Sequence, residues 1–182
     1  MKQLLLFLFS LSALYANPAQ VIIIRHAEKP PAGTSLTLKG RERAAALVPF
    51  FLGAPPVLQF GPPTAIYAAR PTAQHPSLRS EQTVQSLADE MKLPLLTQYN
   101  PLQVEQLAEE ILTHPDYEDK MVLICWSHTE IPRLAAHLGA KKSPKRWPDD
   151  SYDRLWILNF DPEGSVSFEN LPQKLLFGDA SK

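Results

Sequence analysis

Residues 21–29, which read VIIIRHAEK, constrain the fold more than any other stretch of the sequence. Four bulky apolar residues in a row are typical of a strand that is buried on both faces of a parallel sheet. Ligands of such sheets bind outside the carboxyl ends of the strands, which is where Arg25 and His26 fall. The alternative interpretation is that Arg25 caps the strand at the surface and that His26 is a satisfied core histidine.

A second apolar run delivers a second histidine in the same setting. Residues 121–126 read MVLICW, and Ser127, His128 and Glu130 follow before an amphipathic segment. The carboxyl ends of parallel strands lie on the same side of a sheet. The sequence therefore predicts that His26 and His128 lie at one end of the sheet.

Strand and helix patterns alternate along the chain. Pro49 should end or kink the first helix within one turn, and the final segment is typical of a hairpin at a sheet edge. The alternation predicts an α/β fold, a three-layer α/β/α sandwich with a mainly parallel central sheet. The predicted strands cover residues 21–24, 65–68, 95–97, 121–126, 154–160 and 166–168, and the predicted helices begin near residues 39, 80, 102 and 130.

Three motifs in order carry a resemblance to a known family. Arg25-His26 follows the first strand, an Arg-x-x-Gln-Thr element begins at Arg79, and Ser127-His128 follows a later strand. This pattern resembles the histidine phosphatase superfamily, the phosphoglycerate-mutase-like enzymes, from about residue 20 to about residue 140. The remainder, with WPDDSYDRLWILNFD and LPQKLLFGD, is similar to a little-described bacterial branch. The resemblance implies the same sandwich fold and adds that one strand runs antiparallel.

The resemblance also implies roles for four side chains. His26 corresponds to the nucleophile that becomes a phosphohistidine, and His128 to the second histidine, which donates a hydrogen bond to the transferring oxygens. Arg25 and Arg79 correspond to the phosphate-binding arginines, a role that suits their permanently charged, forked guanidinium groups. The alternatives are a surface role for Arg79 and core packing for His128. Arg70 is a further loop arginine, and we assign no role to His75, His114 or His137.

The proton donor for the leaving group is the least defined part of the predicted site. Some branches of the superfamily carry an Asp directly after the second histidine, whereas Thr129 occupies that position here. Glu130 and Glu28 are the carboxyls nearest in sequence to the two histidines, and either could act as the acid. Glu130 could instead satisfy the first turn of its helix, and Glu28 could pair with Lys29 or Arg25. Without a dedicated acid, the enzyme would favour substrates with good leaving groups.

The N-terminal residues predict export. Lys2 and an apolar run over residues 4–16 match a signal peptide cleaved after Ala16, which leaves a single domain over residues 20–182. An uncleaved membrane anchor or a buried first helix are the alternatives. We therefore expect a periplasmic or secreted protein that has no membrane span once the signal is removed.

Composition excludes some function classes. The 182 residues carry a formal net charge of −1, and no concentrated basic face indicates a nucleic-acid partner. The basic cluster of residues 141–146 is followed by Asp149 and Asp150, which is typical of a solvated loop, although it could attract an anionic substrate. The single cysteine, Cys125, cannot form an internal disulfide and lies within an apolar strand.

These observations predict an exported, metal-independent phosphatase that needs no cofactor and hydrolyses phosphomonoesters through a phosphohistidine. One alternative is a phosphate-ligand-binding envelope protein of the same fold that has lost turnover. Another is a metal hydrolase with His26, Glu28 and His128 as ligands, which the two nearby arginines oppose. The identity of the phosphorylated substrate depends on the loops at residues 30–38, 53–63 and 69–78.

Overall fold

The computed structural model describes residues 17–53 and 59–180, in which six strands and four α-helices alternate. The expected signal peptide, residues 1–16, lies outside this range, as does part of the loop at residues 53–63. The strands are β1 Gln20–Arg25, β2 Ala65–Ala68, β3 Leu95–Leu96, β4 Met121–Trp126, β5 Arg154–Phe160 and β6 Val166–Pro172. The helices are α1 Leu38–Gly53, α2 Arg79–Met91, α3 Val104–Thr113 and α4 Ile131–His137, and a 3₁₀ turn covers Pro115–Tyr117.

The strands form one mixed sheet in the order β3-β2-β4-β1-β5-β6. Strands β1 to β4 pair in parallel. Strand β5 pairs antiparallel with both β1 and β6, so it alone runs against the other strands of this sheet. The predicted α/β/α sandwich with one antiparallel strand is therefore confirmed.

Side chains of β1 alternate between the two halves of the core. Val21 and Ile23 pack in the cluster that contains the buried residues of α3 and α4. Ile22 and Ile24 pack in the cluster that contains Leu47 and Phe51 of α1 and the buried apolar residues of α2. All four side chains are fully buried, because a strand at the centre of a sheet covered on both faces presents neither side to water.

Helix α1 continues through Pro49 and ends one turn later, at Gly53. Proline removes one backbone donor, but Leu47 and Phe51 on either side of it are fully buried and hold this last turn against the sheet. Strand β6 is longer than predicted because each residue from Val166 to Pro172 has a partner on β5.

Cys125 is fully buried in β4, and burial raises the pKa of its thiol, as expected for an unreactive core cysteine. Within residues 17–53 and 59–180, no helix combines the length and the apolar character needed to cross a bilayer.

Candidate active site

The carboxyl ends of β1 and β4 border a cleft of about 380 Å³. His26 follows β1, His128 follows β4, and Arg79 is the first residue of α2; all three line this cleft. Strands β1 and β4 are adjacent and parallel, so the two histidines that follow them lie at the same end of the sheet although about a hundred residues separate them in sequence. The remaining lining residues are Lys29, Gly33, Thr34, Ala69, Gln74, His75, Pro76, Ser77, Ser80, Pro101, Leu102, Ser127, Thr129 and Glu130.

His26 is held as an uncharged imidazole. Its Nδ1 lies 2.8 Å from the carbonyl oxygen of Ala27, and because a carbonyl can only accept, Nδ1 carries the proton. Burial lowers the pKa of His26 to about 4, and the charges of Arg25 and Arg79 add to this effect. At neutral pH, Nε2 therefore has a free lone pair.

The threonine of the Arg-x-x-Gln-Thr element fixes the backbone next to His26. The N–H of Ala27 donates to Thr83 Oγ1 at 2.9 Å. The Thr83 hydroxyl in turn donates to the carbonyl oxygen of Arg79 at 2.7 Å. This part of the motif thus joins helix α2 to the residue that orients the imidazole.

Arg25 is almost completely buried and is anchored along one edge. Its Nη1 donates to the carbonyl oxygens of Pro148, Asp149 and Ser151 at 3.3, 2.6 and 3.0 Å. The guanidinium carbon lies 3.9 Å from the centre of the Tyr152 ring. Among the described residues, Nε and Nη2 have no hydrogen-bond partner, and burial lowers the pKa of Arg25. Such donors favour an anion, because an unsatisfied buried N–H is costly.

Arg79 joins helix α2 to the loop that follows β1. Its Nε donates to the carbonyl oxygen of Ser35 at 3.3 Å, and its Nη1 donates to Ser77 Oγ at 3.3 Å. Its Nη2 also donates to the carbonyl oxygen of Gly33. The guanidinium therefore forms one wall of the cleft in a defined orientation.

His128 lies between the cleft and a loop near the C-terminus. Its Nε2 is 3.5 Å from Asp149 Oδ1, whereas its Nδ1 is buried with no partner among residues 17–53 and 59–180. Burial and the charge of Arg25 lower the pKa of His128, and Asp149 opposes them. The protonation of this histidine thus depends on a residue that sequence reasoning did not select.

The two candidate acids have different surroundings. Glu28 does not line the cleft. It binds Arg43 and not Lys29 or Arg25: Nη2 of Arg43 lies 2.8 Å from Oε1 of Glu28. Arg43 is buried and also binds Asp179 at 2.7 Å, so Glu28 belongs to a structural cluster beneath the C-terminal segment. Glu130 does line the cleft, and its Oε2 is 3.3 Å from Nη1 of Arg133.

Sequence reasoning missed residues 147–152, which it treated partly as a solvated loop. The structure folds this segment against Arg25 and His128. The available signal was the pair of aromatic residues, Trp147 and Tyr152, that brackets the two aspartates. His75 also lines the cleft, whereas Arg70 is exposed and is not part of its wall.

The alternative of a metal site formed by His26, Glu28 and His128 is not supported by the arrangement of these side chains. In the part of the chain that the structure describes, no three His, Cys, Asp or Glu side chains are grouped to hold a metal ion. One of the suggested ligands, Glu28, is instead bound to Arg43.

Solved structures of two phosphatases and of a phosphoglycerate mutase have folds similar to that of this chain. The protein histidine phosphatase SixA complexed with tungstate superposes with a TM-score of 0.60 and 19% identity, over 85% of this chain and 97% of SixA. The α-ribazole phosphatase of Shigella flexneri gives 0.58 and 13%, over 84% and 96% of the respective chains. This chain has the histidine phosphatase fold. A phosphoglycerate mutase from Plasmodium falciparum, at 0.54 and 14% over 91% and 99%, shares the histidine phosphatase fold as well.

The resemblance inferred from the three motifs is thereby confirmed at the level of the histidine phosphatase fold. No family model matches the sequence, and no curated protein matches it significantly. A fold is compatible with many activities, so the activity of this chain depends on the residues of its own site.

Proposed function

We propose that this protein is a phosphatase that hydrolyses phosphomonoesters, or a related phosphoryl compound, through a phosphohistidine at His26. The observation that carries the proposal is the state of His26, whose Nδ1 proton is bound to the Ala27 carbonyl while the ring stays uncharged. A nucleophilic histidine needs this arrangement, since only a deprotonated Nε2 can attack phosphorus. On the same cleft, Arg79 supplies a positive charge and His128 supplies a hydrogen-bonding imidazole.

The reaction has two steps. The Nε2 lone pair of His26 attacks phosphorus, a P–N bond forms, and the P–O bond to the leaving group breaks as that oxygen gains a proton. Water then attacks the phosphohistidine, which releases inorganic phosphate and restores His26. The charge on the equatorial oxygens is stabilised by Arg79, which lines the cleft, and by Arg25, which is not among its lining residues but has two N–H groups without a partner among the described residues. Phosphoryl transfer depends mainly on such positioning and fixed positive charge.

Replacing His26 tests the nucleophile. His26→Ala should abolish hydrolysis of an aryl phosphate while circular dichroism shows an intact fold. His137→Ala removes an exposed histidine of α4 and serves as the control that keeps wild-type activity. The P–N bond of a phosphohistidine breaks in acid. The label from a ³²P-substrate should therefore be recovered on His26 only when the reaction is quenched with alkali. A His26→Ala variant that retains most of its activity would overturn the mechanism.

Glu130 is the better placed of the two candidate acids, because it lines the cleft and Glu28 does not. A missing acid slows the departure of a poor leaving group far more than that of a good one. Glu130→Gln should therefore lower kcat on an alkyl phosphate at least about tenfold and change the rate on p-nitrophenyl phosphate little. Glu105→Gln, on the exposed side of α3, is the control. Equal losses on both substrates would exclude Glu130 as the acid.

A second candidate function is phosphate-ligand binding with little or no turnover. It is favoured by Thr129, which follows His128, and by the ion pair that engages Glu130 with Arg133. This function predicts binding of phosphate or vanadate without release of phosphate from any substrate. Labelled His26 after a single turnover would exclude it.

We also propose export to the periplasm or beyond and independence of metal ions. Lys2 and the apolar run over residues 4–16 support export, and N-terminal sequencing of the exported protein should begin at Asn17. Activity should persist after dialysis against a chelator. A precursor that keeps Met1, or a loss of activity that zinc restores, would overturn the respective proposal.

A further inference from the structure

Residues 147–152 form a loop of fixed shape beside the cleft. Trp147 is buried, its ring centre is 5.0 Å from that of Trp156, and its Nε1 donates to the carbonyl oxygen of Ser151 at 2.9 Å. Tyr152 lies against the guanidinium of Arg25. An aromatic side chain thus fixes each end of the loop, and the residues between them keep a defined position.

Asp149 contacts both of the site residues that face this loop. Its carbonyl oxygen accepts from Arg25 Nη1 at 2.6 Å, and its carboxylate Oδ1 lies 3.5 Å from His128 Nε2. The other carboxylate oxygen is held by Arg146 Nη2 at 3.2 Å. The side chain is about 70% exposed, so its orientation comes from these contacts and not from burial.

We propose that Asp149 is a positioning residue that orients His128, and with it Arg25, around the phosphoryl group. The inference rests on the proposed function, because it treats the cleft as the phosphoryl site. The carboxylate holds the His128 imidazole with its Nε2 toward the loop, and the backbone carbonyl holds one edge of the Arg25 guanidinium. One residue thereby aligns groups from the ends of two neighbouring strands.

The charge distribution around His128 supports this role. Groups from the end of β1 and the residues after it are mainly cationic, and they disfavour a proton on the imidazole, whereas the Asp149 carboxylate favours it. Glu130 on the same cleft is already paired with Arg133. Charged and titratable groups surround His128 on both sides. Those on the cleft side are Arg25, His26, Lys29, Arg79 and Glu130, and those on the loop side are Lys145, Arg146 and Asp149.

Titration of the His128 imidazole by NMR tests the proposal without requiring turnover. Resonances are assigned with His128→Gln and followed between about pH 4 and about pH 8 in phosphate-free buffer, a range that spans histidine titration. Asp149→Asn keeps the backbone carbonyl that binds Arg25 but removes the carboxylate charge. We expect its His128 midpoint to fall by roughly half a unit to one unit, given a charge pair a few ångströms apart near the surface.

Asp150→Asn is the matched control, because it removes the same charge one residue further along the exposed loop. Its His128 midpoint should move much less than that of Asp149→Asn. Equal shifts in both variants, or no shift in Asp149→Asn, would overturn the positioning role. Binding of inorganic phosphate, measured by calorimetry, should weaken several-fold in Asp149→Asn relative to Asp150→Asn.

The two proposals can fail separately. If the wild-type protein binds phosphate and the Asp149→Asn midpoint falls, but no substrate is hydrolysed, the positioning role stands and the phosphatase activity does not. If hydrolysis depends on His26 while the His128 midpoint is the same in all variants, the phosphatase stands and the role of Asp149 is refuted.

Discussion

The buried, uncharged His26 should make the stability of this protein depend on pH. Burial and the nearby positive charges lower its pKa from 6.5 to about 4 in the folded state. Between these two values the unfolded chain binds more protons than the folded one, so folding is weakened as the pH falls. The contribution of His26 is therefore fully present above about pH 6.5 and is lost progressively toward about pH 4.

The size of the effect follows from the shift. The difference between 6.5 and about 4 is about 2.5 units, and one unit corresponds to about 1.4 kcal/mol, which gives a limit of roughly 3.4 kcal/mol. Going from about pH 7.5 to about pH 4.5 should remove about 2.5 kcal/mol of this amount. His26 is only 6% exposed, so solvent screening reduces the value little.

Urea unfolding at these two pH values measures the effect in phosphate-free buffer, since a bound anion would raise the pKa of His26. The wild-type free energy of unfolding should fall by about 2.5 kcal/mol more than that of His26→Asn, which cannot titrate in this range. Carboxylates contribute equally to both proteins and cancel in the difference. His137→Asn, which changes an exposed histidine, should behave like the wild type. Equal pH dependence of wild type and His26→Asn would refute the assignment of a buried, neutral imidazole.

Three further substitutions test the structural basis of the site. Arg43→Met leaves the carboxylate of Glu28 without its buried partner and should lower the free energy of unfolding by about 3 to 5 kcal/mol in urea titrations. Arg79→Ala should raise the KM for an aryl phosphate at least about tenfold, since it removes a charge-assisted contact, whereas Arg70→Ala, exposed and outside the cleft wall, should not. Gly40→Ala would place a Cβ 2.5 Å from the backbone oxygen of Glu28, and it should lower the thermal midpoint through a loss of about 1 to 3 kcal/mol.

A different result would contradict each of these three predictions. A stable Arg43→Met would mean that the buried cluster is replaceable by apolar packing. An unchanged KM in Arg79→Ala would remove this arginine from the phosphate site. An unchanged thermal midpoint in Gly40→Ala would mean that the backbone around the Glu28 carbonyl can move by several tenths of an ångström without cost.

The type of the main elements and their order along the chain could be predicted from the sequence because they depend on local patterns. The fully apolar run of β1 can only be buried on both faces, and the helical spacing in α2 and α3 marks one face for the core. His26 and His128 directly follow such strands, so chain connectivity alone places them at the carboxyl end of the sheet. Boundaries were less predictable: β6 was predicted to end at residue 168 but continues to Pro172, because pairing with β5 extends it beyond its local pattern.

The partners of individual charges could not be predicted in this way. Glu28 was a candidate acid or a partner of Lys29 or Arg25, yet it binds Arg43, which is brought to it by the packing of α1. Asp149 lies 124 residues after Arg25, and the hydrogen bond between them forms because the chain returns to β1 through β5. The amino-acid sequence by itself determined which elements form and which ends of the strands carry reactive groups, since burial and backbone geometry are local. Only the tertiary structure decided which charge meets which, because a contact over a few ångströms depends on the sheet order and on loop paths that no local pattern encodes.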